Sequence, residues 1–258
     1  MKTELVRRLT PEEEELAAKR DELAQLEAQL ADEELALASL KAELAAFEGV
    51  YLRRIGVLYS ELDDWNARLA ELRAERAATP EARSEAATAR AQAEESYSAA
   101  HSEASEVQPV ALSPELKKLY REVAKRVHPD TASDVVDRAR RERLMKEVNA
   151  AYASGDEDAL RRILAGLDSS PDAVQGSGIG ADLIRVLRQL RLVKNRLAAI
   201  NLELAALAET DIALLKARAD TAASQGLDLL VEMEVDIRGR ISAVRQIFDQ
   251  TAVGKARA

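Results

Sequence analysis

Residues 10–48 read TPEEEELAAKRDELAQLEAQLADEELALASLKAELAAFE, and this stretch decides the fold class. Thr10 is a capping residue, Pro11 suits the first helical position, and the acids that follow favour a helix N-terminus. Leu16, Leu23, Leu30, Leu37 and Leu44 then recur every seven residues. Leu26, Leu40 and Phe47 fill the second seam position, with Lys19 and Glu33 as its polar exceptions. A seam sustained this long predicts a coiled-coil-forming helix.

Outward from it, the register changes near Gly49 and Gly56, and the seam restarts as Ile55, Leu58, Leu62, Trp65, Leu69 and Leu72. A four-residue shift is a stutter in a continuous helix, or Gly49 marks a turn where the helix folds back. The continuous helix is the preferred reading. The seam fades after Ala77. Thr79-Pro80 breaks or restarts the helix, and Glu81 to Glu106 is rich in Ala, Ser and Glu, an exposed helix or a flexible arm able to bury little. Val107-Gln108-Pro109-Val110 reads as a linker, as does Asp168 to Gly180 with its Gly176-Ser177-Gly178-Ile179-Gly180 run.

A second heptad segment carries Leu183, Val186, Leu190, Val193, Leu197, Ile200, Leu204 and Leu207. Ser224-Gln225-Gly226 reads as a turn into a last helix with Leu227, Leu230, Ile237, Ile241, Val244 and Phe248. The expected organisation is therefore an N-terminal coiled coil (1–76), an arm and linker (77–112), a compact unit (113–167), a linker (168–180) and a C-terminal helical hairpin or coiled coil (181–258). That hairpin has the means to pack on the N-terminal helix as well.

Composition agrees with an all-α chain. Among 258 residues 47% are hydrophobic and 32% charged but only 3% aromatic, a balance dominated by Ala, Leu, Glu and Arg. The net charge of −9 argues against a protein that coats nucleic acid, although one small basic patch stands out. With no cysteine, disulfides and thiolate chemistry are excluded, and only His101 and His128 are histidine candidates for a metal. No signal peptide and no transmembrane stretch are evident, so a cytoplasmic protein with no membrane partner is expected.

The patch lies in the compact unit. Ser113-Pro114 is another cap with Pro at the first helical position. Leu116, Leu119, Tyr120, Val123 and Val127 fall on one face of the helix that follows, and Lys117, Lys118, Arg121 and Lys125 on the other. The helix runs into His128-Pro129-Asp130, where Pro129 forces its predecessor out of the α region. His128 and Asp130 are then expected in a rigid, exposed turn. A second helix starts between Thr131 and Asp137 and runs to about Ala153, with Leu144, Val148, Ala151 and Tyr152 facing the first. A short third helix over Asp156–Leu167 turns Leu160, Ile163, Leu164 and Leu167 inward.

The run from Leu116 to Asp130 resembles the second helix and signature tripeptide of the J-domain, and Val148-Asn149-Ala150-Ala151-Tyr152 resembles the third-helix pattern that closes its hairpin. The resemblance covers about a fifth of the chain. It implies an all-α hairpin that docks on the ATPase domain of a DnaK-type heat-shock chaperone and stimulates ATP hydrolysis. His128, Pro129 and Asp130 would be the stimulating element, and Lys117, Lys118, Arg121, Lys125 and Arg126 would hold an acidic surface of the partner. Three features depart from the family. The usual first helix is missing upstream of Ser113, Thr131 stands where a basic residue is frequent, and the helix after Gly155 is not the usual basic fourth helix.

The expected function is therefore that of a co-chaperone, not an enzyme, with no cofactor. Its coiled coils would give homo-oligomerisation or choose a client protein. The alternative is a coiled-coil scaffold whose J-like hairpin no longer stimulates a chaperone. Blander readings apply elsewhere: His101 as an exposed histidine, Trp65, Tyr51 and Tyr59 as packing residues, and the glycine run as a boundary without the lysine of a phosphate loop.

Overall fold

A computed structural model describes residues 10–102, 112–132, 135–167 and 178–253. The linker readings at Val107–Val110 and Asp168–Pro171, and the start of the glycine run, lie outside them. The chain is all-α, with no strand among the described residues. Its helices are α1 (Pro11–Tyr51), α2 (Val57–Ala77), α3 (Pro80–Ala100), α4 (Pro114–Val127), α5 (Val135–Ser154), α6 (Glu157–Leu167), α7 (Ile179–Ala208), α8 (Asp211–Ser224) and α9 (Leu229–Val253). They fall into two compact units: Met1–Ala42 with Val110–Ala208, and Glu43–Pro109 with Glu209–Ala258. Helix α1 starts in the first and ends in the second.

In the first unit, α1 opens on a reciprocal cap. The Glu13 N–H donates to Thr10 Oγ1 (3.3 Å) and the Thr10 N–H to Glu13 Oε2 (2.8 Å). Its seam leucines Leu16, Leu23, Leu30 and Leu37 are all buried, and they form one cluster with Val186, Leu190, Val193, Leu197 and Ile200 of α7. Arg20 with Asp182, Arg196 with Glu34 and Lys41 with Glu203 are each 162 residues apart, so α1 and α7 run parallel. A second cluster joins α4, α5 and α6. Tyr120, Val123, Val127, Val148, Tyr152 and Leu160 have no exposed surface, and each such side chain contributes about 1.5–3 kcal/mol. Met145, rather than Leu144, is the fully inward residue of its turn in α5. Leu35 and Ala38 of α1 complete this cluster, so one helix serves both cores of the unit.

In the second unit the preferred reading of Gly49–Gly56 holds in outline: the helix does not fold back. The register shift is absorbed by a single π-helical stretch, Leu52–Gly56, between α1 and α2. Gly56 faces Ala100 at the end of α3, where an added Cβ would lie 3.7 Å from its Cα and 3.3 Å from Leu52 Cδ2. Ile55 and Leu62 pack against Leu230, Ile237 and Ile241 of α9. Trp65 is a packing residue, edge-on to Phe248 (5.7 Å between centroids), with the Arg68 and Arg245 guanidiniums 4.9 and 4.8 Å from its ring.

Three expectations need correction here. Of the two readings of the segment after Ala77, exposed helix or flexible arm, the described part is helical as far as Ala100, and α3 buries one face along α2. Ala78 takes the left-handed conformation (φ 54°), Thr79 caps and Pro80 starts α3. Ser60, Ala67 and Ala74 are buried on α2, and Ala86, Ala93 and Ala100 on α3, each set spaced by seven. Small residues at that spacing let two helices approach closely, a seam invisible to a search for large apolar side chains. Arg90 fixes the antiparallel register through Glu71 (2.8 Å) and Asp64 (2.9 Å).

Second, the C-terminal seams, expected as a hairpin able to pack on the N-terminal helix, each pack on an N-terminal helix within their own unit. The seam of α7 packs on α1 and that of α9 on α2, with a break at Glu209–Thr210 that the periodicity did not announce. Third, Leu227 is half exposed and precedes the last helix, which Asp228 caps through the Leu230 and Val231 N–H groups. Gly226, with φ +79°, makes the expected turn.

Replacing Ala93 by Leu should cost about 1–3 kcal/mol by overpacking the α2–α3 seam. The same change at exposed Ala87 should stay within about 0.5 kcal/mol. Urea unfolding followed by far-UV circular dichroism compares the two, and equal midpoints would mean the small-residue seam is not tightly packed.

Candidate functional site

The site is built on α4. Ser113 Oγ accepts from the Leu116 N–H (2.9 Å) and donates to Glu157 Oε1 (2.8 Å), so one hydroxyl caps α4 and ties it to α6. At the other end His128 leaves the helical region (φ −60°, ψ 127°), as the residue before a proline must, and Pro129–Thr131 make one 3-10 turn. The Thr131 N–H and Oγ1 both donate to the His128 carbonyl (3.1 and 2.8 Å). Arg141 of α5 donates to Thr131 Oγ1 (2.8 Å) and to the Arg126 carbonyl (3.2 Å). Thr131, the residue that departs from the family pattern, is thus part of the clasp that holds the turn. Tyr120 Oη donates to Asn149 Oδ1 (2.7 Å), and the 15- and 29-residue separations of these links make α4 and α5 antiparallel. The two tyrosine rings, Tyr120 and Tyr152, lie 4.7 Å apart between them.

The turn is not exposed, contrary to expectation. His128 is 3% and Asp130 8% accessible, with Pro129 half-buried. Their cover comes from α1 and α7. His128 Nε2 lies 3.0 Å from Glu34 Oε1, and its Nδ1 is 3.2 Å from the Asp130 backbone nitrogen. An amide N–H can only donate, so Nδ1 is the acceptor and Nε2 carries the proton donated to Glu34. The Glu34 carboxylate, itself buried, also takes a two-pronged contact from Arg196, Nε to Oε1 at 2.6 Å and Nη2 to Oε2 at 3.1 Å. Arg196 reaches on to Glu203 Oε1 (2.7 Å). Burial works to raise the Glu34 pKa, and the hydrogen bonds from His128 and Arg196 outweigh it, leaving the group below the ordinary carboxylate value. Asp130 Oδ1 meets Arg138 at 3.3 Å.

The basic residues divide. Arg121 Nε lies 2.7 Å from Asp32 Oδ1 of α1. Burial raises the Glu27 pKa, while the positive field of Lys125, Arg141 and His128 acts against the rise. Arg126 pairs within its own helix with Glu122 (3.4 Å). Lys118 is exposed and Lys117 half-buried. So α4 and its turn meet α1 through Arg121 with Asp32 and His128 with Glu34. Glu34, Arg196, Asp32 and Arg138 were not singled out from the sequence. The only signal was position: Glu34 lies between seam leucines Leu30 and Leu37, and Glu33 was noted as the polar exception in its place. His101 is exposed and stacked on Tyr97 (4.1 Å). Among the described residues no group of three or more His, Asp or Glu could hold a metal ion, and no helix is long and apolar enough to cross a membrane.

Because the folded pKa of Glu34 lies below its unfolded value, its contribution to stability is complete above the unfolded pKa and disappears as pH falls through the folded one. Between about pH 6 and pH 3 the urea midpoint of the parent should therefore fall more than that of Glu34→Gln. Parallel curves would mean that the carboxylate is not held as described. Searches of protein-family models, of curated proteins and of solved structures find no match to this chain.

Proposed function

We propose that the chain is a J-domain-like co-chaperone that recruits a DnaK-type heat-shock chaperone and stimulates its ATP hydrolysis through His128-Pro129-Asp130. One observation carries the reading. The tripeptide sits at the break between two antiparallel helices that share a core of Tyr120, Val123, Val127, Val148 and Tyr152. The basic residues Lys117, Lys118, Arg121, Lys125 and Arg126 lie on the helix that leads into it. An acidic partner surface meets such a helix with electrostatic steering.

On this reading the module does no chemistry of its own and changes the rate of its partner's. The long heptad helices, whose seams close within the chain, would choose a client protein or a second copy of the chain through their outward faces. The cytoplasm, where such an ATPase and its ATP are found, is the matching compartment.

A second reading has its own observation. The buried turn suits a coiled-coil scaffold whose hairpin serves only as a packing element. Single-turnover ATP hydrolysis by a DnaK-type chaperone separates the two. The co-chaperone reading expects stimulation by the parent and its loss in His128→Gln. No stimulation by a folded parent or by a variant with its turn uncovered, at any ratio to the chaperone, hands the function to the scaffold.

A further inference from the structure

Resting on the co-chaperone reading, we infer that α1 and α7 act as a built-in cover for the His-Pro-Asp turn, with the acidic edge of α1 occupying the surface meant for the partner. The charges argue for it. Asp32 and Glu34 of one helix address Arg121 and His128 of another, residue types an acidic docking partner would also engage. A partner and α1 therefore compete for the same donors. His128 is the clearest case: its Nε2 proton is already given to Glu34, and at 3% exposure no outside acceptor reaches it.

The way the cover is attached fits a part that lifts. Helices α1 and α7 are joined by a continuous apolar seam from Leu16 to Leu37, which does not involve α4, α5 or α6. The pair meets the three-helix module differently. It makes polar contacts there: Glu34 with His128, Asp32 with Arg121, and Ser39 Oγ with Tyr152 Oη at 2.7 Å. Leu35 and Ala38 are the apolar side chains of α1 that enter the module's core. The pair can thus shift off the turn while its own seam stays closed. Arg196 holds the Glu34 carboxylate from the α7 side, so that charge stays paired when the two helices move together. A segment or client that takes the α1–α7 pair would open the turn, coupling client capture to chaperone recruitment.

Full-length parent and an Asp32→Ala/Glu34→Ala/Arg196→Ala variant are compared by deuterium exchange over residues 128–132 and by single-turnover hydrolysis with a DnaK-type chaperone. The cover predicts slow exchange in the parent, fast exchange in the variant, and stimulation by the variant at limiting concentration about tenfold above the parent's. Closure is tested in the opposite direction with Ser39→Cys/Asn149→Cys, whose two thiols would be the only ones in this cysteine-free chain. A thiol-reactive crosslinker with a reducible disulfide in its spacer, joining the two, should suppress stimulation, and reduction should restore it. Equal exchange in parent and variant, or equal stimulation with the linker intact and cleaved, overturns the cover. A parent whose stimulation is lost in His128→Gln leaves the co-chaperone reading standing even then. Faster exchange without stimulation by any chain overturns the co-chaperone reading itself, and with it the role of the cover.

Discussion

A carboxylate taken out of water must be met by donors, and the first unit is arranged around one such group. Glu34 lies between two seam leucines of α1, 4% exposed, and it takes both the Arg196 guanidinium and the His128 imidazole. An unpaired charge in that position would cost several kcal/mol. The register of α1 against α7 and the seating of α4 against α1 are therefore fixed by the same pair of oxygens. Shifting either helix by one residue along its axis would strand the group. The apolar seams provide most of the burial, but leucine tolerates neighbouring leucines and sets register weakly. The buried ion pair supplies the specificity, at some expense in stability.

That division explains what could be read in advance. The positions of helices follow from local chemistry: Thr10-Pro11, Thr79-Pro80 and Ser113-Pro114 each start a helix as their residue types require, and Pro129 ends one. Seven-residue spacing of leucine marks the buried face of α1, and all five seam leucines from Leu16 to Leu44 are indeed buried. What the pattern lacks is a record of which seam meets which. Leucine and valine on α7 carry no mark of their partner, and the pair that Arg196 makes with the buried Glu34, 162 residues apart in sequence, supplies the one that the seam lacks.

The turn shows the same limit. Its backbone was legible because proline acts on its immediate neighbour. Its burial was not, since Glu34 lies 94 residues away and is one acid among many on α1. The α2–α3 seam escaped for another reason. Alanine and serine carry little hydrophobic signal, and only the repeat of Ser60, Ala67 and Ala74 opposite Ala86, Ala93 and Ala100 betrays it.

That repeat has a consequence for how such a chain changes length. Alanine loses no side-chain freedom on packing, and each arm of the α2–α3 pair presents the same small step every seven residues. The pair is graduated like a ruler. Seven residues gained or lost on both arms together would move the Ala78–Thr79 bend by one graduation, roughly 10 Å along the axis, and leave every remaining contact in phase. Reach could then vary among chains of this design without any change to the helices that hold the His-Pro-Asp turn.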